Sequence, residues 1–347
     1  MSNDKKVKVI SVFNNKGGVG KTTLLWNIAD ALARQNFRVL MIDFDPQCNL
    51  SLAVLGQNEF RAVLHRDNAP YGVTIRAYLQ RFLQNTDGEE FFSHKGKYTN
   101  TNAELLAGDF WLNAYSESLN VGADLLSGTG ISRYAVLRNI IQAGQEKTQA
   151  EYDYVLIDLP PSFGAIVRAA LYTSDYFIIP CTADTFSAYC VGLIGQMLPK
   201  FFDDWQAGFK RFKQDNSNIT DYDSLGAPRF AGWIFNGFDT RGGGTVKADA
   251  IHQDNMSDAI RDSIVQNDRI ASVANLPTNG LIGEIEDMNV LIQNSIWQSI
   301  PISQLGNHAP LKTLQDKGSW APNQRQQIVL LTKAFDAIAT NIAQYCK

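Results

Sequence analysis

Cysteine is scarce in this sequence: Cys48, Cys181, Cys190 and Cys346 are widely scattered and form no C-x-x-C pair. That spacing suggests neither a zinc site nor a disulfide framework, and reduced, mostly buried thiols are expected. Proline is sparse too, since 11 residues are too few for a long disordered linker. No apolar run reaches the roughly 18 residues needed to cross a bilayer. The opening "MSNDKKVKVISVF" passes from a short charged lead into a strand pattern without a signal-peptide core, so a cytoplasmic location is expected. Positive charge is not in excess either. A formal net charge of -4 argues against a surface coated in basic residues for nucleic acid and leaves room only for a local patch. Neither an internal repeat nor a low-complexity tract is visible.

What is present reads as an α/β fold. With 45% hydrophobic and 19% charged residues the chain is globular, and its length permits one large domain, expected over 1–347. "VKVISVF" (Val7 to Phe13) is nearly continuous in apolar, β-branched residues, as a parallel strand buried on both faces requires. A loop follows, then Leu24, Leu25, Ile28, Ala31 and Leu32 at helical spacing, then the strand "FRVLMIDFD". That is a βαβ unit. Further strands are expected at Tyr152 to Leu159, Asp175 to Cys181 and Arg229 to Phe238. The alternation predicts a mainly parallel, doubly wound sheet with helices on both faces and ligands at the carboxyl ends of its strands. The pattern weakens between Gly56 and Gly122. An elaborating insertion is expected at about 57–118, with helical pieces around Thr74 to Leu83 and Asn102 to Leu106, because too few apolar residues are available there for a separate core. A helix ending near Lys213 and a C-terminal amphipathic helix "NQRQQIVLLTKAFDAIATNIAQ" complete the outline.

The chemistry is concentrated in "NNKGGVGKTT", Asn14 to Thr23. A phosphate-binding loop reads G-x-x-x-x-G-K-[ST] and holds one lysine. Here Lys21 takes that place, Asn15 replaces the first glycine, and Lys16 is a second cation. Gly17, Gly18 and Gly20 let the backbone turn tightly around phosphate oxygens, and the helix that follows points its positive end at the same anion. The nucleotide site is thus expected at Lys16, Gly17, Gly18, Val19, Gly20, Lys21, Thr22 and Thr23, with Lys21 on the β- and γ-phosphates and the Thr22 hydroxyl on Mg²⁺. Asp158 closes the strand "YVLID", where such proteins place a carboxylate that holds Mg²⁺ through water. Asp43 and Asp45 end the neighbouring strand in "IDFDPQ", and alternation puts both on one face before Pro46 stops it. One acid can serve the metal's water shell while the other orients the attacking water; Asp43 is assigned to the metal and Asp45 to catalysis.

These residues resemble a family. "KGGVGKTT", "IDFDPQCNLSL" and "YDYVLIDLPPS" are similar to the nucleotide motifs of the ParA/MinD class of deviant Walker ATPases, and most similar to its ParA (Soj-like) branch. The match is complete over Lys16 to Thr23; Cys48 stands where a glycine or alanine is usual and is expected to be tolerated as a small residue. Weaker similarity continues through "FNGFDTR" and "IEDMNVLIQNSIWQSIPI", leaving out roughly 57–118. The resemblance implies ATP and Mg²⁺ as cofactors and a homodimer when ATP is bound. In it, Lys16 crosses to the partner's phosphates and joins Lys21 and Asp45 in a slow, partner-stimulated hydrolysis, and Asn236 lies in the region that reads the adenine. A cation delivered in trans meets charge accumulating on the transferring phosphoryl group, and such fingers are worth about 10³ to 10⁵ in rate.

The implied output is plasmid or chromosome partition with a ParB-like or other stimulating partner and non-specific double-stranded DNA, which would place the protein on the nucleoid. Candidate DNA-binding cations are Lys200, Lys210, Arg211, Lys213, Arg241 and Lys247. No membrane role is expected, since the chain ends "IAQYCK" without a basic amphipathic helix. The nucleotide strand begins at Val7, so no helix-turn-helix and no operator-specific repression are expected. Positioning of a protein cargo, a kinase or synthetase acting on a small molecule, and a non-enzymatic module holding ATP are the alternatives.

Overall fold

The computed structural model describes residues 6–86, 90–122, 124–149, 151–241, 244–287, 289–313 and 316–347. Among them, seven strands form one parallel sheet: β1 (Lys8–Val12), β2 (Val39–Asp43), β3 (Ala103–Leu106), β4 (Tyr154–Asp158), β5 (Tyr176–Thr182), β6 (Arg229–Phe238) and β9 (Leu281–Glu286). A small antiparallel pair, β7 (Thr240–Arg241) and β8 (Gly244–Thr245), intervenes. The strand order is β3-β2-β4-β1-β5-β6-β9. β1 therefore lies inside the sheet between β4 and β5, and its carboxyl end opens where ligands of such sheets bind.

Period-two alternation sorts the strand residues into two cores, one on each face. Val9, Leu40, Ile42, Val155 and Ile157 enter one cluster with Ile166, Leu171 and Leu198. Ile10, Val39, Met41, Tyr154 and Leu156 enter the other with Leu24, Ile28 and Leu32 of the helix Lys21–Arg34. Helices thus cover both faces, as the near-continuous apolar strands demand. The C-terminal helix Pro322–Tyr345 adds Ile328, Leu331, Phe335, Ile338 and Ile342 to the second cluster. The long helix Thr185–Asp215 contains Pro199, which cannot donate to the carbonyl four residues earlier. Asn267 Nδ2 donates to that Gly195 oxygen instead, at 3.1 Å.

All five strands expected from the sequence form. Two others escape the apolar pattern, each at an edge of the sheet. Asn102 to Leu106, expected as a helical piece, is a correction: Ala103–Leu106 is strand β3, paired with β2 from Val39↔Ala103 to Ile42↔Leu106. The open edge of β2 supplies the hydrogen-bonding partners that no local propensity records. β9 hides because "LIGEIE" is interrupted by Gly283, where an added Cβ would stand 2.1 Å from Ile338 Cγ1 of the C-terminal helix. The other helix expected in the insertion is present as Ile75–Gln84, with the Thr74 side chain accepting from Arg76 N. Ile75, Leu79, Phe91 and Tyr115 share the core cluster of Phe13 and Val155.

Candidate functional site

β1 runs into the loop at its carboxyl end, and the loop runs into the helix Lys21–Arg34. Gly18 (φ 75°) and Gly20 (φ 80°) occupy the left-handed region that favours glycine. Gly17 is not among the positive-φ residues, so two of the three loop glycines serve the turn conformationally. A Cβ at Gly20 would stand 2.5 Å from Asn236 Nδ2, which donates to Val19 O at 3.0 Å. Gly20 caps the helix without a side-chain hydrogen bond, which leaves first-turn N–H groups directed at the loop's concavity.

Asn14, two residues beyond β1, organises the loop. It is buried; its Nδ2 donates to Pro180 O (2.7 Å), its Oδ1 accepts from Lys16 N (2.9 Å), and its own carbonyl accepts from Lys21 Nζ (3.1 Å). Lys21 Nζ also donates to Lys16 O at 2.9 Å. Burial pushes the Lys21 pKa down, opposed by the charges of Asp158 and Asp45.

The acids are not equivalent. Asp158 is fully buried; its Oδ2 accepts from Thr22 Oγ1 at 2.7 Å and its Oδ1 has no hydrogen-bond partner. Asp45 accepts from Gln47 N at 2.9 Å and faces the cavity. Asp43 is fully buried and turned to Ser51, whose N (2.8 Å) and Oγ (2.6 Å) both donate to its Oδ2. β2 stops at Asp43, so the expected alternation does not carry through to Asp45; Asp43 Oδ2 is turned to the helix Asn49–Leu55, while its Oδ1 accepts from Asp45 N at 3.3 Å. Burial pushes all three carboxyls up, with mutual repulsion adding to the rise in Asp43 and Asp158.

Two cavities flank the loop and share Gly18, Gly20 and Thr23. One, of about 590 Å³, is bounded by the loop, Asp45, Asn49, Leu52, Pro161 and Ile296. The other, of about 310 Å³, is bounded by Thr182, Asn236, Asp287, Ile292 and Phe335. The first is lined largely by loop backbone with Asp45, and the second mixes the acids Glu286 and Asp287 with the apolar Ile292 and Phe335.

Lys16 is held within its own chain. Its Nζ ion-pairs with Asp184 and donates to Thr182 Oγ1 (2.9 Å) and Ser187 Oγ (3.0 Å). Sequence reasoning missed this cradle, and also Asn14 and Ser51. "ADTFS" carries the signal of a helix N-cap at Asp184, but nothing local points to a lysine 168 residues earlier. Cys48 is also explained: it is buried with φ 55°, a left-handed conformation in which glycine is unstrained.

The candidate DNA-binding cations divide. Lys200, Lys210 and Arg211 are exposed on the long helix, and Lys247 is exposed at the start of the helix Lys247–Ile260. Lys213 differs from these: its Nζ donates to Ile219 O (2.7 Å) and Asp223 Oδ1 (3.0 Å), where the chain folds back beyond the helix end. The Arg241 side chain lies outside the described residues. No helix among the described residues is long and apolar enough to cross a membrane.

Residues 7–208 match the family AAA_31, described as an AAA domain. An uncharacterised protein of Methanocaldococcus jannaschii is 34% identical over 186 residues, 54% of this chain and 63% of that protein. The chromosome partitioning protein ParA of Caulobacter vibrioides is 28% identical over 182 residues, 52% of this chain and 58% of that protein. The chain thus spans about three fifths of the length of the curated relatives it matches. Among solved structures, a protein of Corynebacterium diphtheriae superposes with TM-score 0.64 at 19% identity, covering 98% of this chain and 99% of that one. The ATP complex of a substituted McdA of Cyanothece superposes with TM-score 0.57 at 18% identity, covering 94% and 96%.

Proposed function

The chain belongs to the AAA_31 family of AAA domains, within the ParA/MinD type of P-loop ATPases, and on that premise we propose that it is an ATP-dependent dimerisation switch that slowly hydrolyses ATP. The observation that carries this reading is the gathering of Lys21, Thr22 and Asp45 at one cavity, with Asp158 behind Thr22 and Lys16 beside the loop.

The donor set fits Mg²⁺. Among the described residues no group of three or more His, Cys, Asp or Glu side chains could hold a metal alone. Magnesium characteristically keeps waters and binds through one or two protein oxygens plus substrate phosphates. The Thr22 hydroxyl and the unpartnered Asp158 Oδ1, reached through water, supply that pattern. When bound there the ion neutralises charge on the β- and γ-phosphates.

The chain's residues take the remaining roles. Loop N–H groups from Gly17 to Thr23 cradle the phosphates, and Lys21 turns from the Asn14 and Lys16 carbonyls to the β- and γ-oxygens. Asp45 orients the attacking water, while Asp43, bonded to Ser51 and to Asp45 N, braces the turn that carries it. The base takes the cavity beside Asn236, and Lys16 acts in trans on the phosphates of a second copy.

The partition output rests on the ParA relative of Caulobacter vibrioides and on the exposed Lys200, Lys210, Arg211 and Lys247, suited to non-specific phosphate contacts. A ParB-like partner would stimulate turnover, and the segment 57–118 is the surface proposed to select it. The test is ATP turnover and sedimentation with and without duplex DNA at two salt concentrations. DNA-bound dimers that dissociate at the higher salt support the reading. If DNA alters neither assay while a protein partner accelerates turnover, cargo positioning replaces partition.

A further inference from the structure

An ammonium group has three protons to donate. In this structure Lys16 directs them at the Asp184 carboxylate, Thr182 Oγ1 and Ser187 Oγ. The Phe186 ring lies 6.0 Å from the same nitrogen. The acceptors also bind one another: Thr182 Oγ1 donates to Asp184 Oδ2 at 2.7 Å, and Ser187 Oγ donates to the same oxygen at 3.1 Å. A lysine so saturated cannot at the same time reach another subunit's phosphates. The two placements exclude each other.

We propose that Asp184, with Thr182 and Ser187, is a positioning group that retains Lys16 inside its own subunit, and that pairing requires Lys16 to exchange this cradle for the neighbouring copy's phosphates. The inference rests on the reading that Lys16 acts in trans. It adds a threshold, because an unpaired subunit must break an intramolecular ion pair before it can complete its neighbour's site. The cradle borders the nucleotide site: Thr182 lines the cavity that also holds Gly18 and Asn236, so an occupant there touches one of the three acceptors. Asp184 simultaneously caps the 31-residue helix Thr185–Asp215, its Oδ1 accepting from Ser187 N at 2.9 Å, so the cradle sits on a fixed support.

The strength of the hold follows from exposure. The Lys16 side chain is 18% exposed and that of Asp184 39% exposed. Water therefore weakens the pair, as it does near any protein surface. Burial pushes the Asp184 carboxyl up, but the bonds from Lys16, Thr182 and Ser187 outweigh it and bring the group down to about 2. A hold of this kind delays pairing without forbidding it.

Asp184→Asn separates the roles, because asparagine is as good an N-cap as aspartate and keeps an acceptor for Lys16 while removing the charge. Full-length protein is titrated with a non-hydrolysable ATP analogue and its pairing followed by sedimentation velocity. The expected result is pairing about two- to fivefold tighter than in the parent, the range of a partly exposed ion pair. Analogue affinity at concentrations where the protein is unpaired stays unchanged, and Asp184→Glu restores the parental threshold. An amine-selective acylating reagent should label Lys16 faster in the nucleotide-free Asp184→Asn variant, which a purely helix-capping role would not produce. If Asp184→Asn does not fold, Ser187→Ala removes one acceptor, keeps the capped N–H, and should move pairing and labelling the same way. Unchanged or weaker pairing with unchanged labelling overturns the cradle. The outcomes are distinguishable: if Lys16→Gln abolishes pairing while Asp184→Asn changes nothing, the switch stands and this inference falls. If Lys16→Gln pairs like the parent, the trans role falls first.

Discussion

Thr22 Oγ1 donates to Asp158 Oδ2 at 2.7 Å across 136 residues of sequence, and the other oxygen of the same carboxylate is buried without a partner. A buried carboxylate oxygen left unsatisfied is unfavourable by about 1–3 kcal/mol or more. A hydrated divalent cation would supply the missing donors. This contact ties the first turn of the loop helix to the end of β4.

Asp158→Ala should therefore remove the magnesium dependence of nucleotide affinity more than the affinity itself. Equilibrium binding of a fluorescent ATP analogue in EDTA should be similar in parent and variant. With magnesium present, the parent should gain at least about tenfold over the variant, as for loss of a supporting metal contact. An equal magnesium effect in both proteins would remove Asp158 from the metal site.

Lys16→Gln should leave the fold and the nucleotide affinity of the single subunit intact, because the phosphate cavity is bounded by Gly17 to Thr23 and not by the Lys16 side chain. ATP-dependent pairing should be lost, and turnover should fall by about 10³ or to background, the scale of a cation supplied in trans. Sedimentation and phosphate release measure the two effects. Parental pairing and rate in this variant would end the proposal of a trans-acting lysine.

Gly20→Ala should damage the loop for two separable reasons. The residue sits at φ 80°, where an L side chain adds about 1–2 kcal/mol of strain. Its Cβ would also meet Asn236 Nδ2 at 2.5 Å. Combining it with Asn236→Ala should recover the steric part and leave the conformational part, so thermal melts of the double variant should lie between the parent and Gly20→Ala. Full recovery would show that backbone strain there is negligible.

His94 gives a pH dependence of defined sign. Its backbone pairs with Leu105 of β3 in both directions at 2.8 Å, and its Nε2–H donates to Val73 O at 2.6 Å. Burial pushes its pKa below the ordinary histidine value, opposed by the Val73 hydrogen bond. The unfolded chain then binds the proton more readily than the folded one. This contribution is present above the unfolded value near pH 6.5 and is lost as pH falls toward the depressed folded value. His94→Gln keeps a donor for Val73 and cannot titrate, so its melting temperature should fall less between pH 7 and pH 5 than that of the parent. Parallel curves would contradict this.

The legible parts of the fold were those written in local pattern. β1, β2, β4, β5 and β6 show as apolar runs because both faces of an interior parallel strand are covered. β3 and β9 do not show because an edge strand has one neighbour and tolerates "AELL" and "LIGEIE". Residues 102 to 106 looked helical for want of a visible partner. At the site, Lys21, Thr22 and Gly20 were readable from spacing. Ser51, which claims Asp43, was not, nor were the three groups that claim Lys16.

Chain-local chemistry thus determined the parallel sheet, the phosphate loop at the end of its first strand and the acids on neighbouring strands, because periodicity and turn geometry act over a few residues. Which acid faces the cavity, where the second lysine rests, and which strands close the sheet were decided only in three dimensions. These depend on pairings between segments as much as 171 residues apart, whose free energy comes from burial and from the mutual satisfaction of polar and charged groups that neither segment can satisfy alone.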